Sequence, residues 1–113
     1  MVFTKINKLK NVITAMITPF NEDLELDEEK YRDFIRFQIE NGCQLLTMGT
    51  TGESATMSHD EHHRDMDITV DEAKRSDKSP FVLAGAGRNS TKEAISLYKR
   101  HATEIIIEWE IKR

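Results

Sequence analysis

Short apolar runs alternate along this chain with longer stretches in which apolar residues recur at helical spacing. Residues 11–18 (NVITAMIT) are apolar and β-branched, and Pro19 ends the run, so they are expected to form a first strand. Residues 27–41 carry Tyr31, Phe34, Ile35, Gln38 and Ile39 on one helical face. Asp27 suits the N-cap, Leu26 and Tyr31 occupy staple positions, and Gly42 stands where a terminating glycine belongs. Residues 44–48 (QLLTM) are a second apolar run. A second helix is expected over about 59–75, opened by a Ser58/Glu61 capping box. Residues 80–84 (PFVLA) are the third run. Ser90 and Glu93 form another capping box, opening a helix to about residue 102 with Ala94, Ile95, Leu97 and Tyr98 on its apolar face.

The order is therefore strand, helix, repeated three times. The runs are continuous rather than alternating, which predicts parallel strands covered on both faces. Repeated βα units imply right-handed crossovers and an α/β class. Two architectures fit: a doubly wound open sheet, or the opening of a (β/α)8 barrel. A complete barrel needs about 250 residues, and 113 are present.

Composition narrows the function. Charged residues make up 32% of the chain and the net charge is -4, so the basic face that nucleic acid requires is not expected. No apolar run approaches the ~20 residues of a membrane span. The N-terminal MVFTKINKLKNVITAMITPF reads as a strand rather than a signal peptide, because no small-residue cleavage pattern follows its short apolar run. Cys43 stands alone, so no disulfide forms within the chain, and a reducing cytoplasm fits. At a helix-to-strand junction Cys43 reads as a small packed residue, not a nucleophile.

In either architecture chemistry gathers beyond the C-terminal ends of the strands. Three loops occupy that position: Thr18-Pro19-Phe20, Gly49-Thr50-Thr51-Gly52-Glu53-Ser54, and Gly85-Ala86-Gly87-Arg88-Asn89. In the second, Gly49 and Gly52 are expected to allow positive φ and close approach of a ligand. The hydroxyls of Thr50 and Thr51, with loop N–H groups, suit a carboxylate or a proton relay. A polar turn satisfying its own backbone is the plainer reading. No lysine follows the glycine, so it is not a phosphate loop. The third loop lacks the last glycine of a dinucleotide fingerprint and reads as a tight turn. His59 and His63 stand four apart, as in HExxH, but Asp60 replaces the glutamate and no third ligand follows. No metal is expected, and the acids there suit a helix N-terminus. An intermediate reading points His59 and His62 back at the threonine loop.

Gly49–Ser54, continued by Ala55-Thr56-Met57-Ser58-His59-Asp60-Glu61-His62, closely resembles the signature of the dihydrodipicolinate synthase family. These are pyruvate-dependent class I aldolases, related to N-acetylneuraminate lyase. Ile17-Thr18-Pro19-Phe20 resembles the end of the family's first strand. Val82 to Thr91 resembles its third strand and loop, continued by Glu93-Ala94-Ile95. The resemblance spans about residues 8–103 and implies the first three βα units of a (β/α)8 barrel, with 104–113 a divergent tail. It implies a lyase without cofactor, in which pyruvate forms a Schiff base with a lysine and its enamine attacks aspartate semialdehyde, in lysine biosynthesis. It makes Thr50 the catalytic proton-relay threonine and Thr51, with Gly49, the pyruvate-carboxylate contact. It also places Ser54, Ala55, His59, His62, Asn89 and Glu93 in a lysine-effector site, and implies a homotetramer for complete members. Another pyruvate aldolase, acting on neuraminate or a keto-sugar acid, stays open.

After the third helix the resemblance stops. The family's Gly-Ala-Asp turn, tyrosine pair and Schiff-base lysine have no counterpart in His101 to Arg113. The chain alone is therefore expected to be inactive: a truncated or frameshifted product, half of a split enzyme, or a non-catalytic remnant. Residues 104–113 are read as out-of-frame sequence, a helix or an edge strand.

Overall fold

The computed structural model describes residues 12–78, 80–85, 90–101 and 106–108. The order is β1 (Ile13–Ala15), α1 (Glu28–Glu40), β2 (Gln44–Thr47), a 3-10 turn (Ser54–Thr56), α2 (His59–Arg75), β3 (Val82–Gly85), α3 (Thr91–His101) and β4 (Ile106–Glu108). All strand pairs are parallel, and the sheet order is β1-β2-β3-β4. A doubly wound sheet reverses direction at a switch point. Strands added in strict sequence are instead how a (β/α)8 barrel begins, and this order decides between the two architectures. Residues 106–108 take the edge-strand alternative for the tail, continuing the sheet beyond three βα units.

The helices start where the caps predict. The Asp27 carboxylate accepts from the Lys30 N–H at 3.1 Å, and Gly42 takes φ +78° just past the end of α1. At α2 both halves of the box are made: Ser58 Oγ accepts from the Glu61 N–H at 3.2 Å, and Glu61 Oε2 from the Ser58 N–H at 2.8 Å. The side chains of Ala94, Leu97 and Tyr98 lie outside the described part of α3. β1 is shorter than expected, although the Met16 N–H still reaches the Leu46 carbonyl at 2.9 Å. β3 starts two residues late, because Pro80 has no N–H to pair and Phe81 gives its N–H to the Gln44 side chain.

Register sorts the strand residues into two faces. Leu45 pairs with Val82, and Thr47 with Ala84; all four are buried toward α1 and α2, with Met16, Tyr31, Ile35, Met66 and Ile68. The opposite face carries Ile13 and Ile17, 36% and 55% exposed. Helices cover one face, and the other is the side a barrel turns toward its own axis.

α1 and α2 are clamped by charge. Arg32 Nη1 lies 2.7 Å from both Asp71 and Glu72, and Arg36 reaches the buried Glu72 at 3.0 Å. Burial works to raise the Glu72 carboxyl, but hydrogen bonds from Arg32 and Arg36 outweigh it and hold it below its ordinary value. A second pair, Arg64 Nη2 to Glu28 at 2.7 Å, joins the N-terminal ends. An antiparallel bridge between Phe20 and Leu26 closes a small hairpin before α1, not foreseen from the sequence. Its turn is held by Asn21 Oδ1, which accepts from the Asp23 and Glu25 N–H groups.

Candidate functional site

The loop after β2 folds on itself in overlapping turns. The Gly52 and Ser54 N–H groups donate to the Gly49 carbonyl at 3.1 and 3.5 Å, and the Glu53 N–H donates to Thr50 at 3.0 Å. This leaves Thr50 and Thr51 on the outside, exposed at the C-terminal end of the strand. Among the described residues neither hydroxyl has a partner, and neither amide N–H is used by the loop's own bonds. Two hydroxyls and two N–H groups, open to solvent on a braced turn, can accept a small anion.

The glycines act differently from the sequence expectation. Positive φ falls on Met48 and Glu53, at 56° and 62°, not on Gly49 or Gly52. Gly52 is required by close approach of protein, since a Cβ there would stand 2.9 Å from the Met16 carbonyl oxygen. At Gly85, the last residue of β3, a Cβ would stand 2.2 Å from the Met48 carbonyl oxygen. At Gly49 the nearest atom would be 3.8 Å away.

The six residues assigned to an effector site are placed as follows. His59 opens α2 and Glu93 lies in the first turn of α3; His59 Nε2 is 3.6 Å from Glu93 Oε1, with both half-exposed. Ala55 is exposed and Ser54 buried. His62 is fully buried, one turn inward from His59, with its ring edge-on to His63 at 6.4 Å. Asn89 lies outside the described residues, as do Ala86, Gly87 and Arg88. Among the described residues no group of three or more His, Cys, Asp or Glu is arranged to hold a metal. None of the described helices is long and apolar enough to cross a membrane.

Beneath the loop lies a buried polar cluster that the sequence reading missed. Tyr31 Oη on α1 is 2.8 Å from Thr47 Oγ1 on β2, 3.0 Å from Asp65 Oδ1 and 3.0 Å from Thr69 Oγ1, both on α2. Thr47 also donates a very short bond to Asp65 Oδ1, and Thr69 donates to the Asp65 carbonyl at 2.9 Å. Asp65 is fully buried. Burial raises its carboxyl to about 6, against the lowering effect of the bonds from Thr47 and Tyr31. Burial, then the Asp65 charge, push the Tyr31 phenol well above its ordinary value. Thr18 gives its hydroxyl hydrogen to the Gly52 carbonyl at 2.8 Å, and Asp65 Oδ2 is left with no hydrogen-bond partner among the described residues. The readable signal was an acid on the inward stripe of a helix, at position 65 between His62 and Thr69.

Residues 8–105 match the family described as Dihydrodipicolinate synthetase family. A 4-hydroxy-tetrahydrodipicolinate synthase of Syntrophus aciditrophicus is 51% identical over 96 residues, covering 84% of this chain and 31% of that protein. The solved dihydrodipicolinate synthase of Aquifex aeolicus superposes with a TM-score of 0.77 at 35% identity, over 87% of this chain and 32% of its own. That of Cyanidioschyzon merolae, solved with lysine bound, gives 0.77 at 30% identity, over 91% and 37%. The chain spans about a third of the length of these proteins.

Proposed function

Because this chain belongs to the dihydrodipicolinate synthetase family, we propose that it supplies the pyruvate-handling loop of a 4-hydroxy-tetrahydrodipicolinate synthase-like lyase. The observation that carries the reading is the pair Thr50 and Thr51, whose hydroxyls and amide N–H groups stand open on the turn after β2. Thr51, with the Gly49 backbone beside it, receives the pyruvate carboxylate, and Thr50 relays protons at the reacting carbon. The lysine amine that forms the Schiff base in this chemistry is supplied by a part of the barrel other than these 113 residues. The second substrate is aspartate semialdehyde and the setting is lysine biosynthesis in the cytoplasm. Ser54, Ala55, His59, His62, Asn89 and Glu93 form a site for lysine as effector at a contact between subunits of a homotetramer. The His59–Glu93 approach supports that grouping by bringing the starts of α2 and α3 together.

The test is ligand-induced chemical shift change in a 15N-labelled chain. Added pyruvate is expected to move the Thr50 and Thr51 amides, and Thr51→Val to remove the response. If no loop amide moves at millimolar pyruvate, the assignment of this loop is wrong.

A further inference from the structure

The peptide unit between Gly52 and Glu53 is held from two sides. Its N–H donates to the Thr50 carbonyl at 3.0 Å, inside the loop. Its carbonyl accepts from the Thr18 hydroxyl at 2.8 Å, 34 positions away in sequence. Thr18 and Gly52 are both buried, and a carbonyl oxygen only accepts, so the Thr18 hydrogen is committed there. The loop sits directly on the segment after β1: a Cβ on Gly52 would stand 2.9 Å from the Met16 carbonyl oxygen and 3.5 Å from Thr18 Oγ1. The Gly52 carbonyl and the Glu53 N–H belong to one planar unit and turn together. Glu53 follows with φ +62°, the left-handed region that residues other than glycine avoid. Reversing the unit would return Glu53 to negative φ, and Gly52 opposes that rotation with no side chain. It would also break the bond from the Glu53 N–H to Thr50.

We infer that Thr18 is a positioning residue for the Thr50–Thr51 turn: its hydroxyl locks the Gly52–Glu53 peptide unit in the orientation that keeps Glu53 left-handed and the Thr50 carbonyl bonded. Without that donor the buried Gly52 carbonyl loses its partner, and relief of the strain at Glu53 favours the reversed unit. The turn that presents Thr50 and Thr51 then opens. Thr18 acts through the Gly52 carbonyl and is not itself a catalytic residue. The inference rests on the reading of that turn as the pyruvate contact, and adds that its shape is set by a hydroxyl on the segment after β1. Glu53 is exposed, so Glu53→Gly relieves the strain without disturbing packing.

The experiment is amide exchange and NOE spectroscopy on the full 15N-labelled chain, first without ligand and then with pyruvate. Wild type is expected to show the strong amide-to-Hα NOE within Glu53 that a positive φ produces. Thr18→Val should weaken it and speed exchange of the Glu53 amide about tenfold, as expected for one lost hydrogen bond. The Leu45 amide, bonded to the Phe81 carbonyl in the sheet, should not change. Thr18→Ser keeps a hydroxyl and should match wild type. Adding Glu53→Gly to Thr18→Val should restore slow exchange at position 53, after correction for intrinsic rates. If Thr18→Val does not fold, Glu53→Gly alone carries the test: it should slow exchange at position 53, and faster exchange there overturns the inference. An unchanged NOE and exchange in Thr18→Val overturn it. So does a Leu45 amide that speeds up equally, which marks global unfolding, or a Thr18→Ser chain that behaves like Thr18→Val. With pyruvate, Thr18→Val should need about tenfold more ligand than wild type to move the Thr50 and Thr51 amides; equal titrations overturn the link between the tie and the site. If the NOE and exchange respond as expected but pyruvate moves no amide in either chain, the positioning of the loop stands and the pyruvate reading falls.

Discussion

Three glycines lie in or against the candidate loop, and their surroundings predict three different costs for the same added methyl. At Gly85 the new Cβ would sit 2.2 Å from the Met48 oxygen and 2.7 Å from its carbonyl carbon, where ordinary contact begins at 3.4 Å. Neither partner can rotate away, since one is a Cβ fixed by the backbone and the other is backbone itself. β2 and β3 must separate by about 1 Å at the end of their ladder, beyond the Thr47–Ala84 pair. Overpacking of this kind costs about 1–3 kcal/mol, and a ladder bond lost with it about 1 kcal/mol more. Gly85→Ala is therefore expected to lose about 3 kcal/mol. At Gly52 the clash is milder, 2.9 Å to the Met16 oxygen, and about 1–2 kcal/mol is expected. At Gly49 the methyl meets Leu46 at 3.8 Å. Gly49→Ala should be neutral, or stabilising by up to about 1 kcal/mol through the unfolded chain. Urea unfolding followed by far-UV circular dichroism measures all three. At about 5 °C per kcal/mol, the Gly85 variant should also melt about 15 °C low. Equal stabilities for the Gly85 and Gly49 variants would refute the reasoning.

Two further outcomes follow from the buried charges. Asp65 is raised to about 6 in the folded chain, against about 4 unfolded. Below the unfolded value both states hold the proton. As pH climbs past it the unfolded carboxyl ionises first, so stability falls until the folded value is passed, by about 3 kcal/mol in all. Asp65→Asn should therefore gain on wild type between about pH 4 and about pH 7 in urea titrations; a constant difference would contradict the assignment. Glu72→Gln keeps the shape but weakens the bonds from Arg32 and Arg36. It should cost about 2 kcal/mol, read by thermal melts at neutral pH, and an unchanged melt would show that the clamp adds nothing.

What was legible in the sequence was local. The caps at Asp27 and Ser58 and the glycine at Gly42 act within one turn of where they stand, so a few adjacent residues specify them. The loop could be found because Thr50 and Thr51 sit at a strand's end. What it rests on was hidden. Tyr31 scored as apolar by spacing, and it is buried, but its hydroxyl joins residues 16, 34 and 38 positions away. The glycines looked like turn residues, whereas the positive φ angles belong to Met48 and Glu53 and two of the glycines are there for clearance. Such roles depend on which backbone crosses above, and no local pattern carries that.

The Tyr31 cluster also guards the sheet against misassembly. β2 is four residues long and apolar at its centre, so hydrophobicity alone discriminates poorly between its register and one shifted by a residue. A slip of one would turn Thr47 to the other face and bring Leu46 under the helices. Tyr31 and Asp65 would then be buried against a hydrocarbon side chain with their bonds unmade. The unmade bonds make that slip costly, so the polar groups favour the register that presents the loop above α2.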